Sequence, residues 1–179
     1  MLQTEYISRR PPRTDILPDV SELRIEKRRA EAALKLSTGA VTRGCFFLAG
    51  SRANQSGPER VADLLNAEGG FFPFEVNGEA GPHTVLYHRA QVVEVTLLQD
   101  TAEAQRDPGY AVATERHVRI LLSTGQTLVG RVRVHLPEGR NRLSDYARVP
   151  EAFRYVETAD GTLIVNSAHI VEFRETSAT

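Results

Sequence analysis

The chain has 179 residues, 41% of them hydrophobic, and its 22 lysines and arginines against 23 acidic residues leave a formal net charge of -1. That size allows one moderate core or two small ones of about 60 residues, near the lower limit for independent folding, so two such units would lean on each other. The charge balance excludes a global pull toward nucleic acid or anionic membrane, and the single cysteine, Cys45, excludes an intramolecular disulfide framework and a multi-cysteine zinc site.

Taken from its start, MLQTEYISRRPPRTD carries no continuous apolar segment of the signal-peptide kind, and no run approaches the roughly 18 apolar residues of a membrane span. A soluble cytoplasmic protein without membrane insertion is expected. Residues 1–18, with three prolines and three arginines, read as an extended arm. Asp19-Val20-Ser21-Glu22 has the spacing of a capping box, which predicts an N-terminal helix over 19–30. A first β-domain is expected over 31–98, a linker centred on Pro108-Gly109 over 99–115, and a second β-domain over 116–175.

The two β-domains are related by an internal repeat. LSTGAVTRG (residues 36–44) faces LSTGQTLVG (residues 122–130), matching Gly39 to Gly125 and Gly44 to Gly130. Arg60 and Asp63 then face Arg142 and Asp145, and TVLYHRAQVVEV (84–95) faces TLIVNSAHIVEF (162–173) without a gap. The offset between matched positions falls from 86 to 82 to 78, so the first copy carries two four-residue insertions. Ordered matches separated by loop-length differences argue for duplication.

Each copy opens with a hairpin. Val118, Ile120 and Leu122 alternate with polar residues, Ser-Thr-Gly-Gln turns the chain, and alternation resumes through Val132 and Val134. Gly125 suits a turn with positive φ, whereas Gly130, inside a strand, suggests a bulge or sharp bend. In the first copy Cys45-Phe46-Phe47-Leu48 is apolar on both faces, which predicts a more deeply buried second strand. One or two helical turns follow in each copy, at Val61-Leu64-Leu65 and Leu143-Tyr146. After them come the aromatic strands FFPFEV and FRYVET, turns at Asn77-Gly78 and Asp160-Gly161, and a last pair of strands. The expected fold is mainly β with short helices: two tandem small, bent antiparallel sheets or barrels behind an N-terminal helix.

The second copy, with its glycine-bent strand ending in L-P, then R-L-S-D-Y and the closing I-V-N-S-A-H-I, resembles an uncharacterised family of small bacterial domains. The first copy resembles it more loosely, with His88 in place of Asn and Gln91 in place of His. The resemblance implies a fold type rather than an activity. The hairpin and the ending Asn166 to Phe173 are also distantly similar to the Sm-like (SH3-like) small barrel, in which the last strands join subunits into rings. The positions where that fold carries its base-holding Asp and Asn are Leu136 and Arg140 here, so RNA binding does not carry over residue by residue.

The chain contains no G-x-S-x-G, H-E-x-x-H, P-loop or dinucleotide-binding glycine pattern, so no enzyme, cofactor, metal or small-molecule substrate is inferred. Cys45 reads as a small buried hydrophobe, and His169 as a strand-edge residue bonding a nearby carbonyl. The repeated Arg-x-x-Asp reads as a salt bridge or helix cap in each copy, or as a partner contact. Arg131, Arg133, Arg140, Arg142 and Arg148, with Arg154 and Tyr146 nearby, crowd the second copy. They fit three readings: salt bridges to Glu138, Asp145, Glu151 and Glu157, a protein interface, or a grip on RNA phosphates with aromatic stacking. The leading expectation is a non-enzymatic protein-interaction or scaffolding module able to self-associate; the alternative is an Sm-like RNA-binding regulator. The copies differ most in these arginines and in the FFPF of the first (Phe71 to Phe74).

Overall fold

The computed structural model describes residues 27–50, 58–98, 101, 112–135 and 142–177. The expected arm, residues 19–26 of the expected helix, most of the linker, and Leu136, Glu138 and Arg140 lie outside the described residues. The first half comprises β1 (Lys27–Leu36), β2 (Val41–Ala49), α1 (Val61–Asn66), β3 (Phe71–Gly78), β4 (Gly81–His88) and β5 (Val92–Leu97). The second half comprises β6 (Thr114–Leu122), β7 (Thr127–Val134), α2 (Leu143–Ala147), β8 (Phe153–Thr158), β9 (Gly161–Asn166) and β10 (Ile170–Glu175). A 3-10 turn precedes the last strand of each half, at Arg89–Gln91 and Ser167–His169.

The protein is mainly β. Two separate sheets or barrels were expected, whereas all ten strands join one open antiparallel sheet in the order β10-β6-β7-β8-β9-β5-β1-β2-β3-β4. The joint is β5 against β9, with Glu94 opposite Val165, Val95 opposite Ile164 and Thr96 opposite Leu163. Pairing these two strands satisfies backbone groups that each half alone would leave at an edge.

Strand order within the halves is the same, β5-β1-β2-β3-β4 and β10-β6-β7-β8-β9. The register also agrees in detail. Gly44 lies opposite Val76 as Gly130 lies opposite Thr158. The slip between Lys35 and Leu36 on β5 is matched by that between Leu121 and Leu122 on β10. One four-residue insertion has a defined place: β3 gains Asn77 and Gly78, β4 gains Gly81 and Pro82, and the hairpin grows by two residues per strand. The turn therefore falls two residues beyond the expected Asn77-Gly78, because Gly81, with φ of 105°, supplies the left-handed conformation.

Residues 27–30, expected to end the helix, begin β1 instead. Ala30, Ala32 and Leu34 are buried at period two, and β2 provides partners from Ala49 to Val41. A charged stretch such as KRRAEAALKL suits the wet face of a strand as well as that of a helix, and the available hairpin partner decides. As expected, β2 is deeply placed, with Gly44, Cys45, Phe46 and Leu48 buried. Two apolar clusters form the interior. The first gathers Leu34, Phe46, Val61, Leu65, Phe72, Phe74 and Val95; the second gathers Val118, Ile120, Leu122, Val132, Val134 and Val156.

Candidate interaction surface

Each half begins its hairpin with the LSTG turn, and the two turns are bonded alike. Leu36 N–H donates to Ala40 and Gly39 N–H to Leu36, as Leu122 N–H donates to Gln126 and Gly125 N–H to Leu122, each at 2.9 Å. Ser37 and Ser123 tie back to the 3-10 turns: their N–H groups donate to the carbonyls of Gln91 and His169 at 2.8 Å. Their hydroxyls reach the side chains of the same two residues. His88 and Asn166 differ in type but do one job, accepting from the N–H two residues on, of Ala90 and Ala168. The LSTG serines are thus fasteners for the 3-10 turns.

The seam between the halves is built from these turns. His169 Nε2 donates to the Ala90 carbonyl at 2.9 Å while its Nδ1 accepts from Ser123, so it bonds a carbonyl as expected, but from a 3-10 turn rather than a strand edge and across the joint. Asn166 donates to the Val92 carbonyl at 2.8 Å. Asn66, at the end of α1, clamps the backbone of Phe153, donating to its carbonyl at 2.9 Å and accepting from its N–H at 2.8 Å. Lys35 bonds Gln126 and lies 3.6 Å from Glu94. Around these polar contacts the apolar side chains exchange places. Phe153 and Ile164 of the second half pack into the first cluster, and Val93 of the first half packs into the second. A cleft of about 450 Å³ opens at the seam beside Leu65, Asn66, Arg89, Pro150, Phe153 and Asn166.

Asn66→Ala is expected to destabilise the chain by about 1–3 kcal/mol, because it strands the partly buried Phe153 N–H and carbonyl. Asn66→Asp, which keeps the acceptor but sets a carboxylate oxygen against the Phe153 carbonyl, should not recover the loss in thermal melting.

The repeated Arg-x-x-Asp pair behaves differently in the two halves. Arg60 and Asp63 form a capping box and a two-pronged ion pair at the start of α1. Arg142 stands at the corresponding N-cap of α2, exposed, with no side-chain cap bond. Tyr155 of the second half lies against the Arg60 end of α1, and Tyr146 of α2 packs against Phe173 with Arg154 over its ring.

Burial pushes both hydroxyls up from 10.0 to about 12, partly offset at Tyr146 by Arg154 and at Tyr155 by an Ala62 backbone bond and Arg60. Unfolded tyrosine ionises first, so between these values the unfolded state holds fewer protons than the folded state. Stability from these two groups is then full below about pH 10 and lost as pH rises toward 12. A tyrosinate absorbance titration run beside circular dichroism should show two of the five tyrosines ionising late, together with alkaline unfolding. All five titrating near 10 in the folded chain would contradict it.

The crowded arginines separate into three groups. Arg131 and Arg133, adjacent on one face of β7, are both held by Glu115 and Glu157, with contacts from 3.0 to 3.5 Å. Glu157 was among the expected partners. Glu115 was not, because the expected linker ends there; β6 in fact begins at Thr114 and sets Glu115 directly opposite Arg133. Arg154 is buried and donates to the carbonyls of Tyr146, Ala147, Val149 and Glu151, closing the C-terminal end of α2. Arg89 closes α1 in the same way through Leu64, Leu65, Gly69 and Phe71, from a different place in the chain. Arg142 and Arg148, the two caps of α2, are exposed beside the partly buried Tyr146.

Among the described residues no three His, Cys, Asp or Glu side chains gather where they could hold a metal ion, and no helix is long and apolar enough to cross a membrane. Cys45 is buried, with the Arg29 guanidinium 3.6 Å from its sulfur. What the surface does offer is two strand edges, β4 and β10, at the ends of the sheet. Leu86 on β4, Val171 on β10 and Phe71 at the start of the neighbouring β3 are exposed apolar residues that carry no motif in sequence; Phe71 alone was hinted at, as part of FFPF. No protein-family model matches the chain, no curated protein matches it, and no solved structure matches its fold.

Proposed function

We infer that the chain is a non-enzymatic protein-interaction and scaffolding module made of two copies of one small Sm-like unit, joined edge to edge. Shared strand order, shared register slips, the paired glycines 44 and 130 and the identically bonded LSTG turns support the duplication. The observation that carries the functional reading is the pair of open edges. An antiparallel sheet that leaves apolar side chains on unpaired end strands presents backbone donors and acceptors ready to extend onto another strand. The buried Arg154 and Asn166 are spent on a helix end and on the seam.

The ion pairing of Arg131 and Arg133 weighs against the RNA-binding alternative, which among the described residues is left with Arg142 and Arg148. The reading is tested by comparing the wild-type chain with a Leu86→Lys, Val171→Lys variant in analytical ultracentrifugation and affinity capture. Complexes that the wild type forms and the variant loses support it; complexes unaffected by both edge substitutions, or salt-sensitive retention on single-stranded RNA as the only binding seen, overturn it.

A further inference from the structure

We propose that the partner is a second copy of this chain, docked head to tail, with β10 of one molecule pairing antiparallel with β4 of the next. The proposal rests on the scaffolding reading and specifies its occupant and register. The argument comes from the seam already present inside the molecule. There, β5 of the first half meets β9 of the second, and the counterparts of those two strands in the opposite halves are β10 and β4. Three side chains cross that seam into the other half's interior: Phe153, Ile164 and Val93, exposed to only 3%, 0% and 0%. Their counterparts by strand position are Phe71, Leu86 and Val171. Those three are 61%, 64% and 66% exposed, and they lie on the two strands that end the sheet or beside them. The same positions are covered where a partner half exists and bare where none does.

Transferring the internal register gives the external one. Glu94 opposite Val165, Val95 opposite Ile164 and Thr96 opposite Leu163 become Glu172 opposite Tyr87, Phe173 opposite Leu86 and Arg174 opposite Val85. In that arrangement Val171 enters the first cluster of the neighbouring chain as Val93 enters the second cluster within its own. Phe71 and Leu86 of the neighbour settle beside α2, as Phe153 and Ile164 settle beside α1. Arg142 and Arg148, the exposed arginines of α2, then border the contact. Because the two surfaces differ, the contact is heterologous and leaves each docked molecule with one edge free to continue, so assembly proceeds to a closed ring or an open chain according to the rotation per step.

The experiment uses the full chain carrying Cys45→Ala. Leu86→Cys and Phe173→Cys are placed on separate molecules, which are mixed under mild oxidation. Directly opposed residues of an antiparallel pair sit at a Cα separation that a disulfide spans. The expected result is a disulfide-linked dimer in the mixture and little in either variant alone, with Glu172→Cys in place of Phe173→Cys giving none because its side chain faces the other side of the sheet. Sedimentation of the wild type should show species larger than one chain, and Leu86→Lys should return them to monomer with an unchanged circular dichroism spectrum. Linkage of Leu86→Cys to itself would overturn head-to-tail docking in favour of β4 against β4, and equal linkage at Glu172→Cys would overturn the register. A wild type that stays monomeric at every concentration overturns self-assembly; if it still forms an edge-dependent complex with a different protein, the scaffolding reading survives, and if it forms none, both fall.

Discussion

Gly44→Ala and Gly130→Ala should each lower the urea midpoint steeply, by the equivalent of about 3 kcal/mol or more, the upper end of what overpacking costs. A Cβ on Gly44 would stand 1.9 Å from the Glu75 carbonyl oxygen, and one on Gly130 would stand 2.2 Å from that of Glu157. The nearest obstacle in each case is backbone of the next strand, joined at Gly44 by the Phe74 ring at 2.7 Å, and at these points β2 pairs with β3 and β7 with β8 through only two residue pairs. Relieving the overlap means opening that pairing and shifting β3, which carries the buried Phe72 and Phe74 of the first core. Gly39 and Gly125 provide the contrast. Their φ values of 84° and 82° strain any other residue, yet a Cβ there meets nothing within 4 Å. Gly39→Ala should therefore cost only the left-handed penalty, about 1–2 kcal/mol. If Gly44→Ala proves no worse than Gly39→Ala, the close approach of the strands is wrong.

A lysine placed at one strand position should have opposite consequences in the two halves. Ile164 is fully buried in the first cluster, so Ile164→Lys puts an unpaired ammonium among Leu34, Val95 and Phe153 and should cost several kcal/mol, a large share of the 5–15 kcal/mol that holds a typical domain together. Leu86, its counterpart, is largely exposed, and Leu86→Lys in dilute chain should change stability by no more than about 0.5 kcal/mol. Chemical denaturation followed by tyrosine fluorescence separates the two outcomes. Similar losses at both sites would mean that β4 is covered within a single chain. The free-chain result and the assembly result are then complementary: the substitution that a dilute molecule tolerates is the one that should abolish docking.

How far the sequence could be read is visible at particular residues. Gly39 and Gly125 announced two turns, and Gly44 and Gly130 two places where the next strand's backbone comes close, because left-handed backbone and close approach both select glycine at a fixed place. The alternation of Ile120 and Leu122, or of Val132 and Val134, likewise marked strands with one buried face. The start of β1 was not legible, since KRRAEAALKL satisfies helical and extended patterns alike until β2 offers it a partner. Arg131, Arg133 and Arg154 looked like one basic patch. In space Glu115 and Glu157, far along the chain but near across the sheet, occupy the first two, and carbonyls at the end of α2 occupy the third once the chain curls back around its guanidinium.

From its residues alone this chain determined that it would be mostly β, that its two halves would repeat one order of turns, bends and strands, and where most of those turns would fall. These properties are local, set by glycine conformations, alternation and short-range bonds within a few residues. Only the tertiary structure decided that the halves share one sheet, that Ile164 and Val93 are interior while Leu86 and Val171 are surface, and that β4 and β10 remain at its ends. Alternation tells which side chains share a face; what covers that face depends on which strand arrives beside it.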